Sequence, residues 1–304
     1  MKDFIKYLIC TFLGGSIIYA LLVVSSFIYR DLVKWRVDAN VTTVAFGNST
    51  GETSINDALL DNMKNLCKSG TPYTLNQHFI THVIETNPQI RTALFCYDPF
   101  TYAHASDKGL QEARPSYFRE YSGLVSYMGF DIFRQFNSSQ IFSALLKSNY
   151  LLHIPRMTIG YRRLTINNLH HGGWGTEAYD KTYATVLDRP YAETRQTQRI
   201  EQQALRYVIS FCQERGVKVI ILLTPMYQID RWFGRKGYED FLSTLDERVF
   251  IADYSTLPMP SDDYYGDVQH LNYKGATYFS EYLKQNGLQA VPIKDYLKQR
   301  AANE

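Results

Sequence analysis

The sequence predicts an α/β protein built on an open parallel sheet. Two observations lead there. Short apolar runs recur at 41–46, 91–97, 217–225 and 247–255, the pattern of strands buried on both faces. Between them lie segments with apolar residues three and four apart, the spacing of helices with one buried stripe. Strand–helix alternation of this kind builds a parallel sheet through crossover connections. The chain has 304 residues and 45% hydrophobic composition, enough for a sizeable core.

In chain order, residues 7–29 come first and carry no charged side chain. At ~1.5 Å per residue such a helix crosses a hydrocarbon core of ~30 Å. The run is long for the apolar part of a cleaved signal peptide, and no small-x-small cleavage pattern follows it. It is apolar all round, unlike a core helix. The reading is an uncleaved anchor over 1–30, with 31–304 as an α/β domain on one side of the membrane. Lys2 and Lys6 precede the run, and Arg30, Lys34 and Arg36 follow, so flanking charge leaves the orientation open.

VTTVAFGNST (41–50) reads as a buried strand, a tight turn and the approach to a helix opening near Thr53 and Ser54. A serine on such a turn, Ser49, stands at the carboxyl edge of a sheet beside backbone N–H groups that favour negative charge. A helix cap is the plainer role for it. Ile55, Leu59, Met63 and Leu66 predict a helix over 54–66, and a second runs from Tyr73 to Glu85 before Asn87-Pro88 ends it. Residues 100–190 break the alternation and predict a helical insertion, with helices near 116–135 and 138–149. Within it LHHGGWG (169–175) reads as a turn, since adjacent histidines make a poor metal pair. The amphipathic pattern of 193–215 closes at Gly216, a helix C′ residue. Shorter helices follow at 238–245 and 273–285, the second closing the fold.

Net charge is +2, from 32 basic and 30 acidic residues, which argues against general nucleic-acid binding. The 24 tyrosines suit half-buried packing and polar, sugar-like ligands. Cys10 lies in the apolar segment, and Cys67, Cys96 and Cys212 show no metal-ligand spacing.

YGDVQHLNYKGA (265–276) precedes the last predicted helix. Asp267 and His270 share a face of a turn. The carboxylate there fixes the imidazole tautomer and leaves Nε2 as a base, which a serine nucleophile needs. The alternative is that Asp267 caps the helix and His270 meets water.

Ser49 after an apolar strand, together with D-x-x-H-L-N-x-x-G-A, resembles the SGNH/GDSL hydrolase superfamily over roughly 41–99 and 193–285. The resemblance implies a flavodoxin-like three-layer α/β/α fold with Ser49 as nucleophile, His270 as base and Asp267 as its orienter. It also implies an oxyanion hole from the Ser49 N–H, the Gly70 N–H and an Asn side chain. The sequence departs from the pattern twice. Gly47-Asn48-Ser49 replaces Gly-Asp-Ser, and Cys96-Tyr97-Asp98-Pro99 stands where Gly-x-Asn-Asp is expected; Asn76 is the substitute candidate for the missing amide. An anchored domain of this kind is similar to the teichoic-acid D-alanylation and alginate O-acetylation proteins, which partner a membrane-bound O-acyltransferase. The implied function is an extracytoplasmic serine esterase or O-acyltransferase, periplasmic or on the outer face, acting on a cell-envelope polysaccharide or glycoconjugate. No metal or organic cofactor is implied. The alternatives are a catalytically silent partner of such an acyltransferase and a lipid esterase.

Overall fold

The computed structural model describes residues 2–29, 36–69, 71–99, 199–227, 235–267 and 269–302. The insertion expected at 100–190, its two helices and LHHGGWG lie outside these residues. Two units are distinguished, one holding the N-terminal helix and the other the sheet with its helices. Helix α1 spans Lys2–Tyr29. Its residues Lys2–Leu21 are long and apolar enough to cross a membrane, and large side chains such as Phe4, Tyr7 and Phe12 are exposed.

The second unit is mixed α/β. Strands β1 (Thr43–Gly47), β2 (Met63–Asn65), β3 (Thr92–Cys96), β4 (Lys218–Leu223), β5 (Val249–Asp253) and β6 (Val291–Pro292) form one sheet in the order β2-β1-β3-β4-β5-β6. All pairings are parallel except β5–β6. The four predicted strands are β1, β3, β4 and β5. The interior of β4, Val219 to Leu223, is almost wholly buried, as expected of a strand covered on both faces. From β1 the chain steps outward to β2, then back across β1 to β3. The carboxyl ends of β1 and β3 therefore flank a topological switch point, where open α/β sheets place their sites.

Among the described residues the helices of this unit are α2 (Ser49–Ser54), α3 (Tyr73–Thr86), α4 (Arg199–Glu214), α5 (Arg235–Ser243), α6 (Tyr273–Asn286) and α7 (Ile293–Ala302). α3 packs on α4, and α2 on α6. Both α3 and α4 match their predicted cores. Residues 193–198 of the α4 prediction lie outside the described set.

One expected helix is replaced. Residues 54–66 form the end of α2, a single 3₁₀ turn at Asp57–Leu59 and strand β2. The cause is local competition for backbone groups. Asn56 accepts from the Ala58 N–H, and Asp57 accepts from Asn65 N and pairs with Lys64 at 3.0 Å. Asn65 then ends α2 by donating to the Gly51 and Ile55 carbonyls, both at 2.9 Å. The helix opening expected near Thr53 is likewise corrected: α2 starts at Ser49 because Asn48 caps it. The fold also continues beyond the predicted last helix, through β6 and α7.

Candidate active site

β1 delivers the turn that carries Ser49. Gly47 ends the strand with φ at 150°, a conformation that favours glycine, and a Cβ there would lie 2.7 Å from both Cβ and the carbonyl oxygen of Cys96. Asn48 follows as the N-cap of α2. Its Oδ1 accepts from the Thr50 N–H at 3.1 Å and from the Thr50 hydroxyl at 2.7 Å. Ser49 is thus the first helical residue, and its own N–H has no acceptor within the helix. Helix α2 is only six residues long, too short to be stable alone, and is tied to its surroundings at several points. Asn65 holds its end, Glu52 accepts from both N and Oγ of Ser69, and Asp98 from beyond β3 lies 2.9 Å from the Thr50 hydroxyl.

His270 arrives on the loop before α6. Tyr265 and Leu271 form an antiparallel bridge, and the N–H groups of Gly266 and Asp267 donate to the His270 carbonyl. This tight loop presents Asp267 and His270 at its tip. Leu271 is fully buried and pins the loop to the core. Asn272 caps α6: its Oδ1 accepts from Gly275 N at 3.0 Å, while its Nδ2 donates to the Asp263 and Tyr265 carbonyls. Gly275 is a steric requirement, because a Cβ would fall 2.1 Å from the Tyr264 carbonyl oxygen. The residues of H-L-N-x-x-G are therefore the loop's own fasteners. The capping role is Asn272's; Asp267 is turned to the imidazole.

Ser49, His270 and Asp267 meet. His270 Nε2 lies 2.7 Å from Ser49 Oγ, and His270 Nδ1 lies 2.7 Å and 2.8 Å from the two Asp267 oxygens. Asp267 also accepts from the N–H groups of Gln269 and His270. With Nδ1–H donated to a carboxylate, Nε2 is the acceptor for the serine proton. His270 is 7% exposed while Ser49 is only half-buried, so the hydroxyl can be approached. Burial pushes the Asp267 carboxyl up, but the His270 ring and the two backbone N–H groups outweigh it, and the net shift is below the ordinary carboxylate range.

The two further oxyanion candidates fare differently. Gly70 lies outside the described residues. Asn76 sits in the first turn of α3, 1% exposed, with neither amide atom hydrogen-bonded. It shares a helix face with Phe79 and Ile80, and Phe79 packs edge-on against Phe46 of β1. That is a core position, and no hydrogen bond joins the Asn76 side chain to Ser49. Thr50, Asp98 and Glu52 complete the neighbourhood and were not singled out by spacing; they are ordinary helix and loop residues in sequence. Among the described residues no three His, Cys, Asp or Glu side chains gather as a metal site.

Residues 187–290 match the model of an uncharacterised protein family. The match contains β4, β5 and the Asp267–His270 loop but not Ser49. No curated protein is similar to the chain.

Proposed function

We propose that this protein is a membrane-anchored serine esterase or O-acyltransferase, with Ser49 as nucleophile, His270 as general base and Asp267 as its orienter. The observation that carries the reading is the continuous hydrogen-bonded line from Ser49 Oγ through both imidazole nitrogens to Asp267. Such a line is what an unactivated hydroxyl needs to become a nucleophile. Ser49 Oγ attacks an acyl carbonyl as its proton passes to His270 Nε2. The tetrahedral oxyanion forms beside the N-terminus of α2, where the Ser49 N–H is available to it. His270 then returns the proton to the departing alcohol, leaving an acyl-serine. Water or a sugar hydroxyl, deprotonated by His270, takes the acyl group in the second half.

The finer fold is part of the same proposal: a flavodoxin-like three-layer arrangement, supported by the strand order and by the separate pairing of α3 with α4 and α2 with α6. So is the setting. The apolar α1 supports a membrane anchor, and we place the domain extracytoplasmically, acting on acyl groups of an envelope polysaccharide or glycoconjugate beside a membrane-bound O-acyltransferase.

The test is labelling by a fluorophosphonate probe. Wild-type protein should be modified at Ser49, and Ser49→Ala should not. Equal labelling of the two would remove Ser49 as nucleophile. A second reading, a catalytically silent binding partner, is favoured by one observation: Asp98 occupies the place where the resembled family carries its oxyanion amide. It expects no labelling of wild type and full cellular function in Ser49→Ala.

A further inference from the structure

We propose that Asp98 is a positioning residue that sets the nucleophile turn through the hydroxyl of Thr50. The proposal rests on the reading of Ser49 as nucleophile.

Asp98 lies two residues beyond β3 and is 1% exposed; Thr50 is 2% exposed. Their side chains meet at 2.9 Å although 48 residues separate them. Thr50 follows Ser49 directly, and Asn48 precedes it. The Thr50 hydroxyl also lies 2.7 Å from Asn48 Oδ1, which accepts the Thr50 N–H as well. The residues on both sides of the nucleophile therefore belong to one network, and its far end is fixed in the neighbouring strand. β1 and β3 are in register there, with Gly47 opposite Cys96, so Asp98 stands just above the turn it holds.

The chemistry of the network favours a specific geometry over general packing. Thr50 has one hydroxyl proton and faces two oxygens. Asn48 Oδ1 is fixed toward Thr50 by the N–H it also accepts, and a proton carried by the Asp98 carboxyl lets both contacts close. Thr50 Oγ1 is thereby held from two directions, which fixes its χ1 and the rotation of the first turn of α2. That rotation decides whether Ser49 Oγ stays within 2.7 Å of His270 Nε2. A displacement of about 1 Å at a reacting atom costs up to ~10²-fold in rate.

An amide at position 98 offers both a donor and an acceptor in the same place, so Asp98→Asn can reproduce the contact to Thr50. Alanine and, at position 50, valine cannot. The experiment is the second-order rate of fluorophosphonate labelling at Ser49 in full-length, detergent-solubilised protein, measured alongside each variant's thermal midpoint and pH profile. Thr50→Val and Asp98→Ala should label about 10²-fold more slowly than wild type. Asp98→Asn should restore labelling to near the wild-type rate with the same pH profile. Folded Thr50→Val labelling at the wild-type rate would overturn the proposal, as would an Asp98→Asn variant as slow as Asp98→Ala. Should Asp98→Ala not fold, Thr50→Val keeps the side-chain shape and carries the test with Asp98→Asn. Wild-type labelling no faster than Ser49→Ala would instead remove the nucleophile reading, and this proposal with it.

Discussion

Cys67 and Cys96 stand in one row of the sheet, on either side of Gly47, with their sulfurs 3.7 Å apart. Cys96 pairs with Gly47 directly, and the bonds Leu66 N to Ala45 O and Lys68 N to Gly47 O bring Cys67 level with it. Gly51 of α2, whose missing Cβ would meet both sulfurs, leaves the room in which the two thiols approach.

The pair should nonetheless remain two thiols. Their Cα atoms lie on opposite sides of the central strand, two strand spacings or roughly 9 Å apart, beyond the ~7 Å that a disulfide tolerates. Burial also pushes the Cys67 thiol well up, and pushes Cys212 up to about 12 against the pull of Arg215. Non-reducing peptide mapping after exposure to oxidised glutathione should find no Cys67–Cys96 link, and iodoacetamide should reach Cys67 and Cys212 only after denaturation. A linked peptide from natively folded protein would refute this.

Gly51→Ala should destabilise the protein while leaving Ser49, Asp267 and His270 in place. A Cβ at this position would lie 2.4 Å from Cys67 Sγ and 2.5 Å from Cys96 Sγ. Overpacking of this kind costs about 1–3 kcal/mol. A urea midpoint equal to wild type would mean the thiols move aside freely. Gly51→Ala combined with Cys67→Ala should recover part of the loss, because one obstructing sulfur is gone.

Asp267→Asn should slow labelling of Ser49 by up to about 10⁴-fold, the scale of losing the correct imidazole tautomer. It should also change the acid dependence of stability. The Asp267 carboxyl is held below its ordinary value in the fold. Its contribution is therefore complete above the unfolded carboxylate pKa of ~3.9 and is lost as pH falls through the lower folded value. The stability difference between wild type and Asp267→Asn should be constant near pH 6 and shrink as pH falls below about 4. Thermal midpoints of both proteins from pH 2 to pH 6, at about 1-unit steps, provide the measurement; parallel curves would contradict the assignment.

Glu201→Ala should loosen the start of α3. Pro72 occupies the N-cap there and offers no side-chain acceptor. The buried Glu201 carboxylate, on α4, accepts the N–H groups of Tyr73 and Thr74 instead, the latter at 3.0 Å. Tyr73 in turn donates its hydroxyl to the Cys96 carbonyl at 3.2 Å, so the loss reaches the strand ends beside the site. Removal of a cap and burial of two unpaired donors should cost about 1–3 kcal/mol, read as a lower urea midpoint. Glu201→Gln, which keeps an acceptor, should cost less.

Much of the framework was legible because it is local. The apolar segment that became α1, the four inner strands and helices α3 and α4 are written in periodicity, which the chain's own geometry reads out. Asp267 and His270 could be paired from spacing because three residues on a tight loop are neighbours in any fold. The stretch 54–66 misled for an equally physical reason. Its apolar residues repeat at helical spacing, but Asn56, Asp57 and Asn65 spend their side chains on backbone groups, and edge strand β2 is too short to show a period of its own. Strand β6, with Pro292 on the sheet edge, left no signal either.

The sequence by itself determined the long apolar N-terminal segment, the mostly parallel α/β core and the identity of the residues that line up as Ser49, His270 and Asp267. Only the tertiary structure decided that Ser49 and His270 meet, because a separation of 221 positions is closed by sheet register rather than by any local preference. The same holds for the contacts that steady the site: Asp98 on Thr50, Asn65 on α2 and Glu201 on α3. Each joins residues far apart in the chain, and such contacts exist only once the strands have aligned.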